Sequence, residues 1–400
     1  MKIFVPAMGR VNTANRDGSE VRFAEIAKVW LSRGIRLIML LPKREIGVLE
    51  SQGVRAEYRT HWEPMKSEAD SLMNVLLTYL WRIVTCPFAS YPKHVDAVYA
   101  PSDFLFDLLP AILCRLGNRS AKFVVCVFLI APNPFVGYEN MYTRKFKLPS
   151  ARALIYWVVQ WMSLWLIRLF KGEMLVLNSL DKDALVARGV DPSIVHVVTM
   201  GVDAEYFRAA PSGDAAAGYD GIYLGRLHPQ KGLFDLVKIW KRVCEARPGS
   251  RLGVIGGGSE WWFSTLKDEI GKAGLTDNVD LLGFKQGLEK IGVMKAAKCF
   301  VMPSHYESFG QVAVEAMACG LPVVAYDLPI FQEIFPEGMR KVPLEDVDAF
   351  AGEVVRLLDD PALREADKAV CAKVAAGFDW KAIAVNELKL IEQSGAKGAR

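Results

Sequence analysis

The chain has 400 residues, 52% hydrophobic and 24% charged, with a formal net charge of +4. That length exceeds one compact core and predicts about two or three domains, while the apolar content excludes a disordered chain. Charge is uneven: residues 1–208 carry 26 Lys+Arg against 19 Asp+Glu, the remainder 23 against 26, so the basic half suits an anionic partner such as a phospholipid surface or a phosphorylated acceptor.

In chain order, residues 2–5 read as a buried strand with no secretory h-region, which predicts a chain that is not exported. Residues 20–33 have helical spacing, with Phe23, Ile26, Ala27, Trp30 and Leu31 on one face and Gly34 at the stop. Residues 36–41 are a second strand, and 97–99, 123–127, 174–177 and 195–198 continue the series. Residues 209–218, rich in Ala, Gly, Ser and Pro, read as a linker. Further strands are expected at 221–224, 251–255, 279–282, 299–302 and 322–325. Two βα series predict an α/β fold of two doubly wound, Rossmann-like domains, 1–208 and 209–380, facing a central cleft, with 381–400 a C-terminal helix packing back toward the first. Ligands of such sheets bind at the carboxyl ends of the strands, so the cleft is the expected site.

Seven cysteines stand singly without a CxxC pair. That excludes a disulfide framework or zinc site and points to buried thiols in a reducing, cytoplasmic compartment. Two stretches are unusually apolar. Residues 153–170 place Trp157, Trp161 and Trp165 at i, i+4, i+8, after a basic cluster of Arg144, Lys145, Lys147 and Arg152; residues 72–84 contain Trp81. They read either as buried helices or as an interfacial surface, through which residues 144–170 would hold the chain peripherally on the inner face of a membrane. Three polar interruptions, Gln160, Ser163 and Arg168, make the longer stretch a poor spanning helix.

The chemistry is concentrated between Pro303 and Pro322. An apolar strand ends at Met302, a polar loop follows, and a helix is expected from Phe309 to a stop at Gly320, so its free N–H groups favour a phosphate, with Gly310 allowing close approach. Glu307 and Glu315 lie eight residues apart, roughly 12 Å along a helix. Glycosidase carboxylates are spaced about 5–5.5 or 6.5–9.5 Å apart. The pair therefore reads as a grip on two ends of an extended ligand, each carboxylate taking vicinal hydroxyls of one sugar ring.

This Glu-x7-Glu pattern, followed by Ala-x-Ala-x-Gly-x-Pro-Val-Val, resembles the retaining glycosyltransferases of family 4 (glycosyl transferases group 1), which have the two-domain GT-B fold. Tyr223–Gly232 is similar to the family's Gly-Arg…Lys-Gly segment, Leu282-Gly283-Phe284 to its base-proximal turn, and Gly201-Val202-Asp203 with Phe207 to its path into the linker. The resemblance implies a nucleotide-diphosphate sugar as donor and a glycan or lipid-linked hydroxyl as acceptor. Glu315 would hold the ribose and Glu307 the donor sugar. Arg226 and Lys231 would neutralise the diphosphate, and the backbone of Ser308, Phe309, Gly310 and Gln311 would cradle phosphate or sugar. Phe284 and Lys285 would touch the base. In the first domain the family's Gly-Gly-x-Glu loop is matched by Asp17-Gly18-Ser19-Glu20, which leaves Gly18 as the donor or acceptor contact. The His that many relatives carry after the 123–127 strand is absent; Val127 or Phe128 takes its place. His305 is the candidate substitute, with a capping or core role as its alternative. With no Asp-x-Asp motif, the expectation is a metal-independent enzyme without a cofactor and without a nucleic-acid partner. Two rivals remain: a catalytically altered GT-B binding or scaffold subunit, favoured by the missing His, and a nicotinamide-dependent oxidoreductase. The second rests on Gly256-Gly257-Gly258, but a Gly-x-Gly-x-x-Gly motif needs glycine where Trp261 stands.

Overall fold

The computed structural model describes residues 1–9, 18–63, 72–138, 140–213 and 218–393; Asp17, residues 214–217 of the expected linker and residues 394–400 of the expected C-terminal helix lie outside them. Among the described residues, β1 (Lys2–Pro6), β2 (Arg36–Pro42), β3 (Glu57–His61), β4 (Ala97–Ala100), β5 (Lys122–Cys126), β6 (Glu173–Val176) and β7 (Val195–Val197) form a parallel sheet in the order β3-β2-β1-β4-β5-β6-β7. A second sheet holds β8 (Gly221–Leu224), β9 (Leu252–Ile255), β10 (Val279–Gly283), β11 (Cys299–Met302), β12 (Val323–Tyr326) and β13 (Met339–Val342), in the order β10-β9-β8-β11-β12-β13. Both are doubly wound, the order reversing once beside the first strand of each series. β3 and β13 were not expected from sequence. Both are edge strands, half exposed and studded with Glu57 and Arg59 or Arg340 and Lys341, so they lack the continuous apolar run that marks a parallel strand buried on both faces.

The first core is formed by Phe4, Ile38, Val98, Phe123 and Val125 beneath helices that include Leu105–Gly117. The second is formed by Ile222, Val254, Phe300, Val301 and Val324.

The chain divides into two compact units: residues 1–134, 150–200 and the helix Trp380–Gln393 in one, residues 135–149 and 201–379 in the other. The change of unit therefore falls at Met200/Gly201, not after Arg208. Val202 N–H donates to the Phe378 carbonyl at 2.8 Å, and the Gln311 amide donates to the Gly201 carbonyl at 2.9 Å. These bonds draw the helix Ala204–Ala209 onto the second unit. Residues 135–149 join it too: Tyr138 lies against Tyr306 at 4.9 Å and Lys145 pairs with Glu345 at 2.8 Å.

Within the first unit, the helix Trp380–Gln393 packs on the helix Gly18–Ser32. Arg22 and Glu387, both fully buried, form an ion pair, and Tyr99 donates to Glu387 Oε1 at 2.6 Å. Trp30 Nε1 donates to the Ala384 carbonyl at 2.9 Å. Burial opposes the Arg22 charge, yet the Glu387 carboxylate holds the guanidinium above its ordinary range.

Candidate functional site

The carboxyl ends of β8 and β11 are neighbours because those strands pair at the switch point of the second sheet. After β8 the chain passes through Gly225 and Arg226 into a tight turn at Pro229–Lys231, capped by His228 Nδ1 accepting from Gln230 N–H at 3.2 Å. Gly232 then adopts φ +72°, and a Cβ there would stand 1.8 Å from the Pro303 carbonyl oxygen. Only glycine permits that approach. The turn thus lies directly on the loop that leaves β11. His305 N–H donates to the Gln230 carbonyl at 2.9 Å, and the Gln230 amide donates to the Tyr306 carbonyl at 3.4 Å.

This contact joins residues 76 positions apart. Lys231 Nζ donates to Glu307 Oε1 at 2.6 Å, with Glu307 buried and Lys231 nearly so. Arg226 is exposed and reaches the same turn, its Nη2 donating to Gln230 Oε1 at 3.3 Å. The buried Tyr223 hydroxyl donates to the Arg226 carbonyl at 3.3 Å; burial first, then the nearby Glu307 charge, pushes its phenol upward, so it stays a neutral donor. Of the residues marked from sequence, Arg226, Lys231 and Glu307 are therefore brought together.

The helix expected from Phe309 begins two residues later, at Gln311, with Gly310 at φ +97° as its N-cap. Gly310 carries no side chain to cap the first turn; Ala313 N–H donates back to the Gly310 carbonyl at 2.9 Å, which leaves the N–H groups of Gln311 and Val312 without an acceptor inside the helix. Phe309 itself is core, edge-on to Phe335 and Phe378, so only its backbone can face a ligand. The Gln311 side chain is likewise committed, to the Gly201 carbonyl. Ser308 stays half-buried in the loop.

Glu315, one turn along that helix, receives Lys290 Nζ at 2.6 Å, and Lys290 Nζ also lies 5.6 Å from the Phe207 ring. Lys290 was not marked from sequence. It sits on an ordinary helix, Gly287–Lys295, 25 residues from its partner; no spacing rule connects the two. Just before that helix, Phe284 is half exposed and Lys285 pairs with Glu289. Gly18 belongs to the first unit, where a Cβ would meet Met200 Cε at 3.2 Å.

His305 does not point to open space. Its Nε2 lies 2.8 Å from Asp235 Oδ2, and Tyr326 donates to the same oxygen at 3.1 Å. Burial would raise the Asp235 carboxyl, but His305 and Lys238 outweigh it and hold it below its ordinary range. This is a loop anchor. In the first unit Val127 is buried, and Phe128 carries the Arg22 guanidinium over its ring at 4.8 Å. The Gly256 turn has a packing reason of its own: a Cβ there would lie 2.2 Å from the Gly225 carbonyl. Among the described residues, no cluster of three or more His, Cys, Asp or Glu is gathered as a metal site would require.

Residues 218–369 match the family glycosyl transferases group 1. Glycogen synthase of Mycobacterium tuberculosis is 28% identical over 225 residues, 55% of this chain and 53% of that protein. Phosphatidyl-myo-inositol mannosyltransferase of Mycobacterium leprae is 32% identical over 206 residues, 50% of this chain and 54% of that protein. The chain thus spans about half the length of the curated relatives it matches. Among solved structures, Anabaena Alr3699/HepE in complex with UDP-glucose aligns over 98% of this chain and 99% of that one, with a TM-score of 0.72 and 18% identity. That likeness shows the fold, the GT-B type with two Rossmann-like domains.

Proposed function

We propose that the chain moves a sugar from a nucleotide diphosphate to a hydroxyl acceptor, with retention of the anomeric configuration, taking as premise the match of residues 218–369 to glycosyl transferases group 1. The observation that carries the reading is the Lys231–Glu307 pair at 2.6 Å beside the N-terminus of the helix Gln311–Ala318. A cation, a carboxylate and the N-terminal end of a helix in one place suit a ligand that is both anionic and rich in hydroxyls.

In this reading Arg226, Lys231 and the helix N-terminus take up the charge that grows on the departing diphosphate. Glu307 accepts hydrogen bonds from donor-sugar hydroxyls, and Glu315, steadied by Lys290, takes those of the ribose. Phe284 and Lys285 flank the base, and Gly18 contacts donor or acceptor from the first unit. Because two side-chain cations already offset the diphosphate, transfer proceeds without a metal, and a chelator leaves the rate unchanged. Retention rests on the Glu307-x7-Glu315 pattern. The acceptor is a glycan or lipid-linked hydroxyl, and the chain works in the cytoplasm at the membrane's inner face.

A panel of nucleotide sugars tested by thermal shift checks the reading, since a ligand that binds only the folded state raises its apparent stability. One or more donors should raise the midpoint, and Glu307→Ala should abolish their hydrolysis or transfer. A panel with no shift refutes it. The Phe128–Arg22 contact, at the place where the family resemblance implies a His, favours a second reading in which the chain binds donor without transferring it. A thermal shift with no turnover of any acceptor distinguishes that case.

A further inference from the structure

The helix Ala151–Leu169 exposes more apolar surface than its packing needs. Its buried face holds Gln160 and Ser163 beside the core residues Leu164 and Ile167. The Gln160 carbonyl accepts from Ala131 N–H at 2.6 Å, while its amide donates to Asp103 Oδ2 at 3.0 Å and to the Leu129 carbonyl at 2.8 Å. Its outward face carries Ile155, Val158, Met162 and Trp165, each 43–60% exposed. A helix at a water-facing surface has the opposite arrangement. The helix Leu72–Thr85 repeats the pattern, with Met73, Leu76, Leu80 and Val84 each at least 50% exposed along one stripe.

Both helices pack against a third within the first unit. Tyr79 stacks on Phe106 at 4.6 Å, Phe106 on Phe104 at 5.4 Å, and Phe104 meets Tyr156 at 6.1 Å, so the helix Leu105–Gly117 lies between the two. Trp62 and Phe88, at the start and end of the segment that holds the first helix, are among the most exposed aromatics. Exposed apolar stripes of this extent mark an interaction surface.

Charge identifies the occupant. Neither helix contains an Asp or Glu, whereas Arg152, Arg168, Lys171 and Arg119 on or beside them are exposed. Apolar side chains with tryptophan, bordered among the described residues by exposed cations while Glu63 is taken up by the buried Arg82, complement an anionic bilayer. A second copy docked through the same face would bring these cations against one another. No helix among the described residues is long and apolar enough to cross a membrane.

We propose that the helices Leu72–Thr85 and Ala151–Leu169 together dock the first unit on an anionic phospholipid surface. This redraws the surface expected at residues 144–170. Residues 144–149 belong to the other compact unit, where Lys145 is held by Glu345, while the helix Leu72–Thr85 supplies the other half. In a doubly wound sheet the helices run opposite to the strands, so their N-termini lie at the carboxyl edge where ligands bind. On the glycosyltransferase reading, to which this corollary alone is tied, the acceptor hydroxyl is then borne by a lipid.

The full chain is floated with phosphatidylcholine vesicles, with and without about one third phosphatidylglycerol, and the double variant Leu80→Glu/Trp165→Glu is run beside it. The wild type should float with the anionic vesicles, less so at high salt, and the variant should lose at least tenfold of the bound fraction with its unfolding midpoint unchanged. Single variants Leu80→Glu and Trp165→Glu, each losing part of the binding, replace the double variant should it fail to fold. A wild type that ignores anionic vesicles overturns the proposal, as do variants that float equally, or a wild-type dimer that the substitutions dissolve. Vesicle binding without any nucleotide-sugar shift keeps the docking surface and removes the enzymatic reading.

Discussion

Replacing Glu307 by Gln keeps the shape of the side chain and removes its charge. Without ligand, the Glu307 carboxylate holds Lys231 at 2.6 Å, in a position where Glu307 is 8% exposed and the lysine side chain 21%. Exposed pairs contribute about 0–1 kcal/mol, and breaking a fully buried one costs about 3–5 kcal/mol; this intermediate case corresponds to about 2 kcal/mol. The free protein should lose about that much stability to urea. A nucleoside diphosphate meets the opposite situation. Its phosphates compete with Glu307 for Lys231 and are repelled by the Glu307 charge, so the variant offers a released cation and one less anion. By linkage the affinity should stay equal or rise, by up to about 30-fold for 2 kcal/mol. Transfer should nonetheless fall by roughly 100-fold or more, since the donor sugar has lost its carboxylate. Calorimetric titration of wild type and Glu307→Gln with UDP and GDP, alongside turnover, reads both quantities. Nucleotide binding weakened tenfold or more, with stability unchanged, would refute the account of Lys231 as shared between carboxylate and phosphate.

Three further outcomes follow from the packing. Gly232→Ala places a Cβ 1.8 Å from the Pro303 carbonyl at φ +72°, so overpacking and the left-handed backbone together should cost at least about 3 kcal/mol in urea unfolding; a loss under about 1 kcal/mol would mean the two loops are not in fixed contact. Glu387→Ala leaves Arg22 charged and buried, a loss of about 3–5 kcal/mol that should appear as faster amide exchange in the helix Trp380–Gln393. Burial raises the Asp103 and Asp107 carboxyls, to about 6 and about 7, against about 3.9 in an unfolded chain. The folded state therefore holds the extra protons, and their contribution to stability is present at low pH and is lost as pH rises through about 4 to 7. Asp107→Asn, which keeps partners for Met8 N–H and the Ser102 hydroxyl, should flatten that slope in a thermal titration; an unchanged slope would remove Asp107 from the account.

Much of the second unit was legible because its information is local. A buried parallel strand needs an uninterrupted apolar run, and residues 221–224, 251–255 and 299–302 have one. A helix stop needs glycine, and Gly320 stands there. Glu307, Arg226 and Lys231 could be marked because they sit in short motifs at strand ends. What no local rule holds is which distant side chains meet. The Lys231–Glu307 pair exists because β8 and β11 are adjacent in the sheet although 74 residues separate their ends, and Lys290 reaches Glu315 across 25 residues. The edge strands β3 and β13 escaped notice because water on one side admits Glu57, Arg59, Arg340 and Lys341, which break their apolar runs.

The Glu307–Glu315 stretch and the apolar helices show the division most clearly. Residue type and spacing were enough to say that two carboxylates eight apart flank a helix start, and that residues 153–170 are helical and rich in tryptophan. Only tertiary packing decided that Phe309 and Gln311 turn inward, and that His305 serves Asp235. It also decided that Gln160 and Ser163 face the core while Trp165 faces outward. A helix's own sequence sets its stripes, but the choice of which stripe is buried belongs to its neighbours: Asp103, Ala131 and Leu129 supply the hydrogen bonds that draw a glutamine inward.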